Sequence, residues 1–327
     1  MEKYDFKTMK ESLSLPVMVA PMFLISNPEL VIHSCKAGII GTFPALNART
    51  EEILKEWMGQ INHELAEYNN DHPDKKAAPW GINFITHRSN KRYIEDLQLI
   101  EKYEPPIVIT SLGDPGPVAE IVHKYGGMVI SDVINVKFAK KALEKGADGL
   151  VLVSSGAGGH AGTYNPIAFV HEVREFFDGP VMLAGGMSKG EDILAAEILG
   201  ADIAYMGTRF IPSKESLAQD EYKKMIIDSS IDDIIYTDAF SGVNANYLIP
   251  SIINSGLDPA NLVKKKEMNF GDLNNTKVKA WRDVWGAGQG IGSITEVQSI
   301  AEITDELKKQ YEQAQENIIA RHQKILR

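Results

Sequence analysis

A single cysteine, Cys35, stands in 327 residues, which excludes an intrachain disulfide framework. Positive charge is also scarce. With 34 Lys and Arg against 44 Asp and Glu, the formal net charge is −10, which argues against the basic face that nucleic-acid binding requires. No apolar run approaches the ~20 residues of a membrane span, and the charged segment Met1–Ser14 lacks the apolar centre of a signal peptide. The expectation is a cytoplasmic protein with neither a nucleic-acid nor a membrane partner. The eight histidines include no His-Glu-x-x-His and there is no cysteine cluster, so no catalytic metal is expected. Cys35 falls in a helical pattern, Pro28–Lys36, where a packed thiol fits better than a nucleophile. Lys264, Lys265 and Lys266 form a short cluster that reads as solvated surface.

What the chain does have is alternation. Short apolar runs recur every 20 to 40 residues or so between helical patterns, as in strand and crossover-helix units. Eight can be counted: Val17–Met22, Ala37–Phe43, Trp80–Ile85, Ile107–Leu112, Gly127–Val133, Gly149–Ser155, Val181–Gly186 and Ala204–Phe210. Eight is the number of a (β/α)8 TIM barrel, and the chain exceeds the roughly 250 residues of that fold by enough for a small additional domain or lid. The expected division is a barrel over 1–228, a lid over 229–294 and a closing helix over 295–327, with Ile300, Ile303, Leu307 and Tyr311 on its inner face. Ser188-Lys189-Gly190-Glu191 reads as a capping box. Gly146-Ala147-Asp148 and Gly200-Ala201-Asp202 end two helices alike, an echo that suggests repeated units. Thr50 precedes a long amphipathic helix in which Trp57 reads as core.

In such a barrel the chemistry lies where the strands end, which makes candidates of Ala20-Pro21-Met22, Asn83, Ser131-Asp132, the His160 turn, Gly185-Gly186 and Gly207-Thr208. The most informative end is Gly156-Ala157-Gly158-Gly159-His160-Ala161-Gly162, where glycines clear space around an imidazole that can titrate near neutral pH. His160 is therefore either a catalytic base or a satisfied structural histidine; His87, after the third run, is the rival. Gly185-Gly186 and Gly207-Thr208 follow the seventh and eighth runs, where backbone N–H groups and helix N-termini suit a phosphate. The plainer reading is that these glycines only permit tight turns.

Six motifs in order, Val19-Ala20-Pro21-Met22, Trp80-Gly81-Ile82-Asn83-Phe84, Gly158-Gly159-His160-Ala161-Gly162, Leu183-Ala184-Gly185-Gly186, Tyr205-Met206-Gly207-Thr208 and Ala287-Gly288-Gln289-Gly290, resemble the nitronate monooxygenases, formerly called 2-nitropropane dioxygenases. The resemblance implies an FMN-dependent TIM barrel that oxidises alkyl nitronates, and nitroalkanes where a base is present, with O2 to carbonyl compounds and nitrite. It implies that His160 is the base, that Ala20, Pro21, Met22 and Asn83 border the flavin, and that Gly158, Gly162, Gly185, Gly186, Gly207 and Thr208 belong to the cofactor site. The same barrel family includes NAD(P)H-dependent enoyl-acyl-carrier-protein and quinone reductases, which form the alternative; a flavin-binding protein without turnover is a third reading. A homo-oligomer is left open.

The pattern departs from the resemblance in three places. Gly156 and Val153 stand where many relatives carry glutamate and glutamine, and Tyr205 where many carry glutamine. The irregular segment Asp232–Leu257 reads as a lid or an outer loop, with Tyr236 and Tyr247 as candidate substrate contacts and Trp281 and Trp285 as its anchors.

Overall fold

The computed structural model describes residues 5–263 and 280–325; the lysine cluster at 264–266 lies outside them. Among the described residues eleven strands are present: β1 Val17–Val19, β2 Gly41–Pro44, β3 Trp80–Ile85, β4 Ile107–Ser111, β5 Met128–Val133, β6 Gly149–Val153, β7 Gly159–His160, β8 Val181–Ala184, β9 Ile203–Met206, β10 Ile234–Thr237 and β11 Ala245–Leu248. The same residues form eleven α-helices: α1 Phe6–Ser12, α2 Pro28–Lys36, α3 Glu51–Asp71, α4 Tyr93–Tyr103, α5 Gly116–Val122, α6 Val136–Glu144, α7 Pro166–Arg174, α8 Gly190–Leu199, α9 Asp220–Asp228, α10 Ile249–Asn254 and α11 Ile300–Ile325.

Each of the eight apolar runs overlaps a barrel strand; β2 runs one residue past its run, to Pro44, and β9 starts one residue before its run, at Ile203. They lie in the order β1-β9-β8-β6-β5-β4-β3-β2, all parallel. A parallel bridge between Met18 and Ile40, with Val19 N–H donating to Ile40 O at 2.8 Å, joins β1 to β2 and closes the (β/α)8 barrel. The strands read as continuous apolar runs because both faces are covered. Ile109, Ile130, Val151, Met182 and Ile203 fill the interior, whereas Val108, Val129, Leu150 and Leu183 meet the outer helices. Phe6, Met9 and Leu13, at the α1 end of the chain, pack on the interior cluster.

The Gly-Ala-Asp echo has a structural counterpart. Gly146 and Gly200 take left-handed conformations just past α6 and α8. Asp148 then accepts Val129 N–H, and Asp202 accepts Val181 N–H, each at 2.9 Å. Each acid thus ties the start of one strand to its neighbour. The capping box is shifted: Lys189 is the N-cap of α8, and the carboxylate of Asp192, not Glu191, accepts the N–H groups of Ser188 and Lys189. A capping acid must sit at the third helical position, and Asp192 holds it. Thr50 caps α3 as expected, and Trp57 packs against the core beside Phe43. Cys35 is buried, and desolvation pushes its thiol up to about 12, well away from thiolate chemistry.

The closing helix returns to the barrel. Ile300, Ile303 and Leu307 are fully buried, Tyr311 donates to Glu197, and Arg209, just past β9, donates to Gln298 and Glu306. The segment expected to be irregular instead carries β10 and β11, which form a three-stranded antiparallel sheet with β7, the strand that holds the histidine. Among the described residues no helix is long and apolar enough to cross a membrane, and no group of three metal-ligating side chains is assembled.

Candidate active site

The carboxyl ends of the barrel strands surround a cavity of about 730 Å³. Ala20, Pro21, Met22, Asn83, Gly158, His160, Gly185, Gly186, Gly207 and Thr208 all line it, so ten residues chosen from scattered motifs meet in one place. Gly162 does not line it. A Cβ there would lie 2.6 Å from Val153 O, so this glycine is required by the packing of the turn on β6.

His160 is fixed by residues far away in the chain. Its backbone pairs with Ala245 on β11, Ala161 N–H donates to Asn244 O, and Asn246 Nδ2 donates to Ala157 O at 2.6 Å. From the other side Gln289 N–H donates to Gly156 O at 2.8 Å. The Ala287–Gly290 motif is thus a clasp on the histidine turn. Gly158 is glycine for that clasp, because a Cβ would stand 2.8 Å from Gly288 N. Gly156, at φ +83°, would direct a Cβ to within 2.8 Å of Gln289 Oε1. A side chain at position 156 would have to displace the Gln289 amide and hold a left-handed backbone.

The imidazole meets the Ser241 hydroxyl and the Trp281 ring. Its Nε2 is 3.1 Å from Ser241 Oγ, and its ring stands edge-on to Trp281 at 5.6 Å between centroids. Ser241 directs its hydroxyl to Val243 O at 2.9 Å, so the imidazole donates from Nε2 and carries its lone pair on Nδ1. Burial holds His160 down at about 4, so the ring is neutral at physiological pH and able to accept a proton. His87 bonds within its own turn, to Ser89 Oγ at 2.8 Å, and does not line the cavity.

The two tyrosines put forward as substrate contacts lie elsewhere. Tyr247 is completely buried against Phe240 and Trp281, with its hydroxyl 3.4 Å from Ser241 Oγ. Tyr236 donates to Ala161 O at 2.8 Å, bracing the histidine turn. Neither lines the cavity; Tyr247 is turned into the small sheet's own packing, whereas the Tyr236 ring stays exposed. Trp281, read as an anchor, faces the cavity instead, while Trp285 anchors by stacking on Tyr222 at 4.8 Å.

At the opposite corner Gly186 holds φ +70°, and a Cβ there would meet open space, its nearest neighbour 3.9 Å away. Protein packing does not demand that this face stay bare. Gly207 is similar: a Cβ would make only ordinary contacts with Ala20 and Met22, at 3.5 and 3.6 Å. Ser188, at the start of α8, buries an Oγ that lacks a hydrogen-bond partner. Thr208 Oγ1 accepts Gly288 N–H at 2.8 Å and keeps its own proton to donate. A bare backbone corner, an orphaned hydroxyl and a helix N-terminus form a cradle suited to a phosphate.

The floor between these corners joins two strand-end candidates, Asn83 and Asp132, through a residue that sequence reasoning missed, Ser111. Asn83 Nδ2 donates to Ile109 O and to Ser111 Oγ, so the group it offers the cavity is its carbonyl oxygen. Ser111 in turn donates to Asp132 Oδ2. Asp132 was signalled by its place at a strand end, whereas nothing in the sequence singled out Ser111.

The sequence profile of the nitronate monooxygenase family matches residues 5–310. The chain belongs to that family, a family of oxidoreductases. It is 27% identical over 293 residues to a nitronate monooxygenase of Paraburkholderia phytofirmans, covering 75% of this chain and 76% of the relative. In fold it is similar to nitroalkane oxidase from Streptomyces ansochromogenes, with TM-score 0.79, 20% identity and 94% and 99% of the two chains covered. FabK from Thermotoga maritima is comparable, at TM-score 0.76 and 22% identity over 96% and 97% of the chains.

Proposed function

We propose that this protein is an FMN-dependent nitronate monooxygenase that converts alkyl nitronates with O2 to carbonyl compounds and nitrite. The observation that carries this reading is one cavity holding a neutral, oriented imidazole at one end and a phosphate cradle at the other, in a member of this family. The residues fit FMN: Gly186, Ser188, Gly207 and Thr208 would take its single phosphate, and Ala20, Pro21, Met22 and Asn83 would border its ring. When bound, the flavin supplies the acceptor of substrate electrons and their route to O2.

The protein's part is placement and proton handling. Trp281, Val243 and Ile134 give the cavity an apolar wall against which a small alkyl chain is shielded from water. His160 Nδ1 accepts the proton from the carbon beside a nitro group, and Ser241 holds the ring in the tautomer that allows it. A substrate supplied as nitronate has already lost this proton and bypasses the step. Protonation of a buried imidazole is costly alone, but the carbanion formed beside it compensates the charge.

The purified protein should be yellow and should release FMN on denaturation. Anaerobic mixing with a nitronate should bleach the flavin, and readmitted O2 should restore the colour with release of nitrite. Bleaching by NADH but not by nitronate would replace this reading with the reductase alternative; FAD in the extract would overturn the cofactor assignment.

A further inference from the structure

Asp132 ends the inner face of β5 on the cavity floor, and the proton chemistry above does not use it. Three adjacent strands lead to it: Asn83 of β3 donates to Ser111 of β4 at 2.7 Å, and Ser111 donates to Asp132 Oδ2. Asp132 Oδ1 is shielded and has no hydrogen-bond partner. Among the described residues no cation pairs with this carboxyl. Tyr205 faces it from β9, and the Asp132 charge together with burial holds that phenol far above its ordinary range. The adjoining lining positions on β4 and β6, Ser111 and Val153, carry no charge. His160 on β7 and Lys141 on α6, with Lys145 just beyond α6, border the same cavity.

A carboxylate is costly here. Burial pushes the group up to about 6 despite the Ser111 hydrogen bond, so its charge changes around that pH. An ionised carboxyl in a low-dielectric floor repels negative charge placed over it, and a ring that takes up electrons acquires such charge.

We propose that Asp132 sets the electron affinity of the flavin held in this cavity: ionised, it disfavours the reduced ring, and protonated, it lets reduction proceed more easily. Asp132 acts through the cofactor and not on the substrate, and the proposal rests on the reading that the cavity holds a flavin.

The test is the flavin midpoint potential of the loaded protein and of Asp132→Asn from pH 5 to pH 8.5, followed by dye equilibration. At pH 8 the variant should have the more positive potential, and the gap should close towards pH 5, where the parent carboxyl is protonated as well. Asp132→Glu should restore the parent's lower potential at pH 8. Equal potentials at pH 8, or a gap that persists undiminished at pH 5, overturn the proposal. Where Asp132→Asn does not retain flavin, the parent decides: the absorption of its bound, oxidised flavin should shift as pH crosses about 6, where the free ring does not titrate. An unchanged spectrum overturns the proposal. A parent protein that holds no flavin at all overturns the cofactor reading together with it, an outcome distinct from a flavin whose potential ignores residue 132.

Discussion

Ser241 Oγ lies 3.1 Å from His160 Nε2 although 81 residues separate them in the chain. That bond selects the tautomer of the base. Ser241→Ala should therefore lower turnover of neutral nitroalkanes by about 10-fold, the scale of one net hydrogen bond. Flavin content and nitronate turnover should stay near the parent values. An equal fall on both substrates would mean that the serine supports the fold and not the base.

His160→Asn keeps a polar side chain but removes the base. Nitroalkane turnover should fall by about 100-fold or more, while nitronates remain substrates. Because burial holds the imidazole at about 4, its basic form is present throughout the neutral range. The acid limb of kcat/KM for nitroalkanes should fall near pH 4, and no limb from this residue should appear near 6.5. Unchanged activity in the variant would remove His160 from the mechanism.

Gly207 and Gly158 are glycines for different reasons, and alanine separates them. At Gly207 the protein has room for a Cβ, so Gly207→Ala should unfold at the parent's temperature yet bind FMN at least several-fold more weakly. At Gly158 the Cβ would press on Gly288 N at 2.8 Å, so Gly158→Ala should cost about 1–3 kcal/mol of stability. Thermal unfolding and flavin titration of both variants decide. Parent-like flavin affinity in Gly207→Ala would mean that its backbone serves only the turn.

Asp132 makes a pH-dependent contribution of its own. Its folded carboxyl titrates near 6 against an ordinary 3.8, so the native state keeps the proton longer than the unfolded chain does. Stability from this group is complete below about 3.8 and is lost as pH rises through about 6. Asp132→Asn should therefore gain roughly 1–2 kcal/mol over the parent at pH 8, two pKa units discounted for partial exposure, and lose that advantage at pH 4. Unfolding midpoints at the two pH values, at matched flavin content, test the sign. A variant less stable than the parent at pH 8 would contradict it.

The barrel was legible because parallel strands buried on both faces have to be apolar throughout, and Ile107–Ser111 or Gly149–Val153 leaves little else to infer. His160 and the two glycine corners were legible for a related reason: a strand end crowded with glycine has few purposes other than close approach. The second sheet was not. Ala245–Leu248 is buried at every position and Ile234–Thr237 is half-exposed, so neither shows the alternation that marks a strand. The choice between Tyr247 and Trp281 as the aromatic facing the cavity depends on which ring the sheet turns inward, and that is decided by pairing across the chain. Asp132 stood among the strand-end candidates without a role, and Ser111 escaped notice, because a polar residue at the end of an apolar run looks like the start of a loop; only the barrel's curvature brings adjacent ends together as a floor.

The clasp on the histidine turn also bears on how the enzyme comes into being. The strands that close the barrel are complete by Met206, but the groups that hold the Gly156–Ala161 turn arrive from Tyr236, Asn244, Asn246 and Gln289. As the chain leaves the ribosome, the scaffold is therefore spelled out well before its base has anything to lean on. On the proposed reading, a chain interrupted beyond Met206 would carry the residues of β8 and β9 that seat the phosphate but lack the groups that fix the histidine.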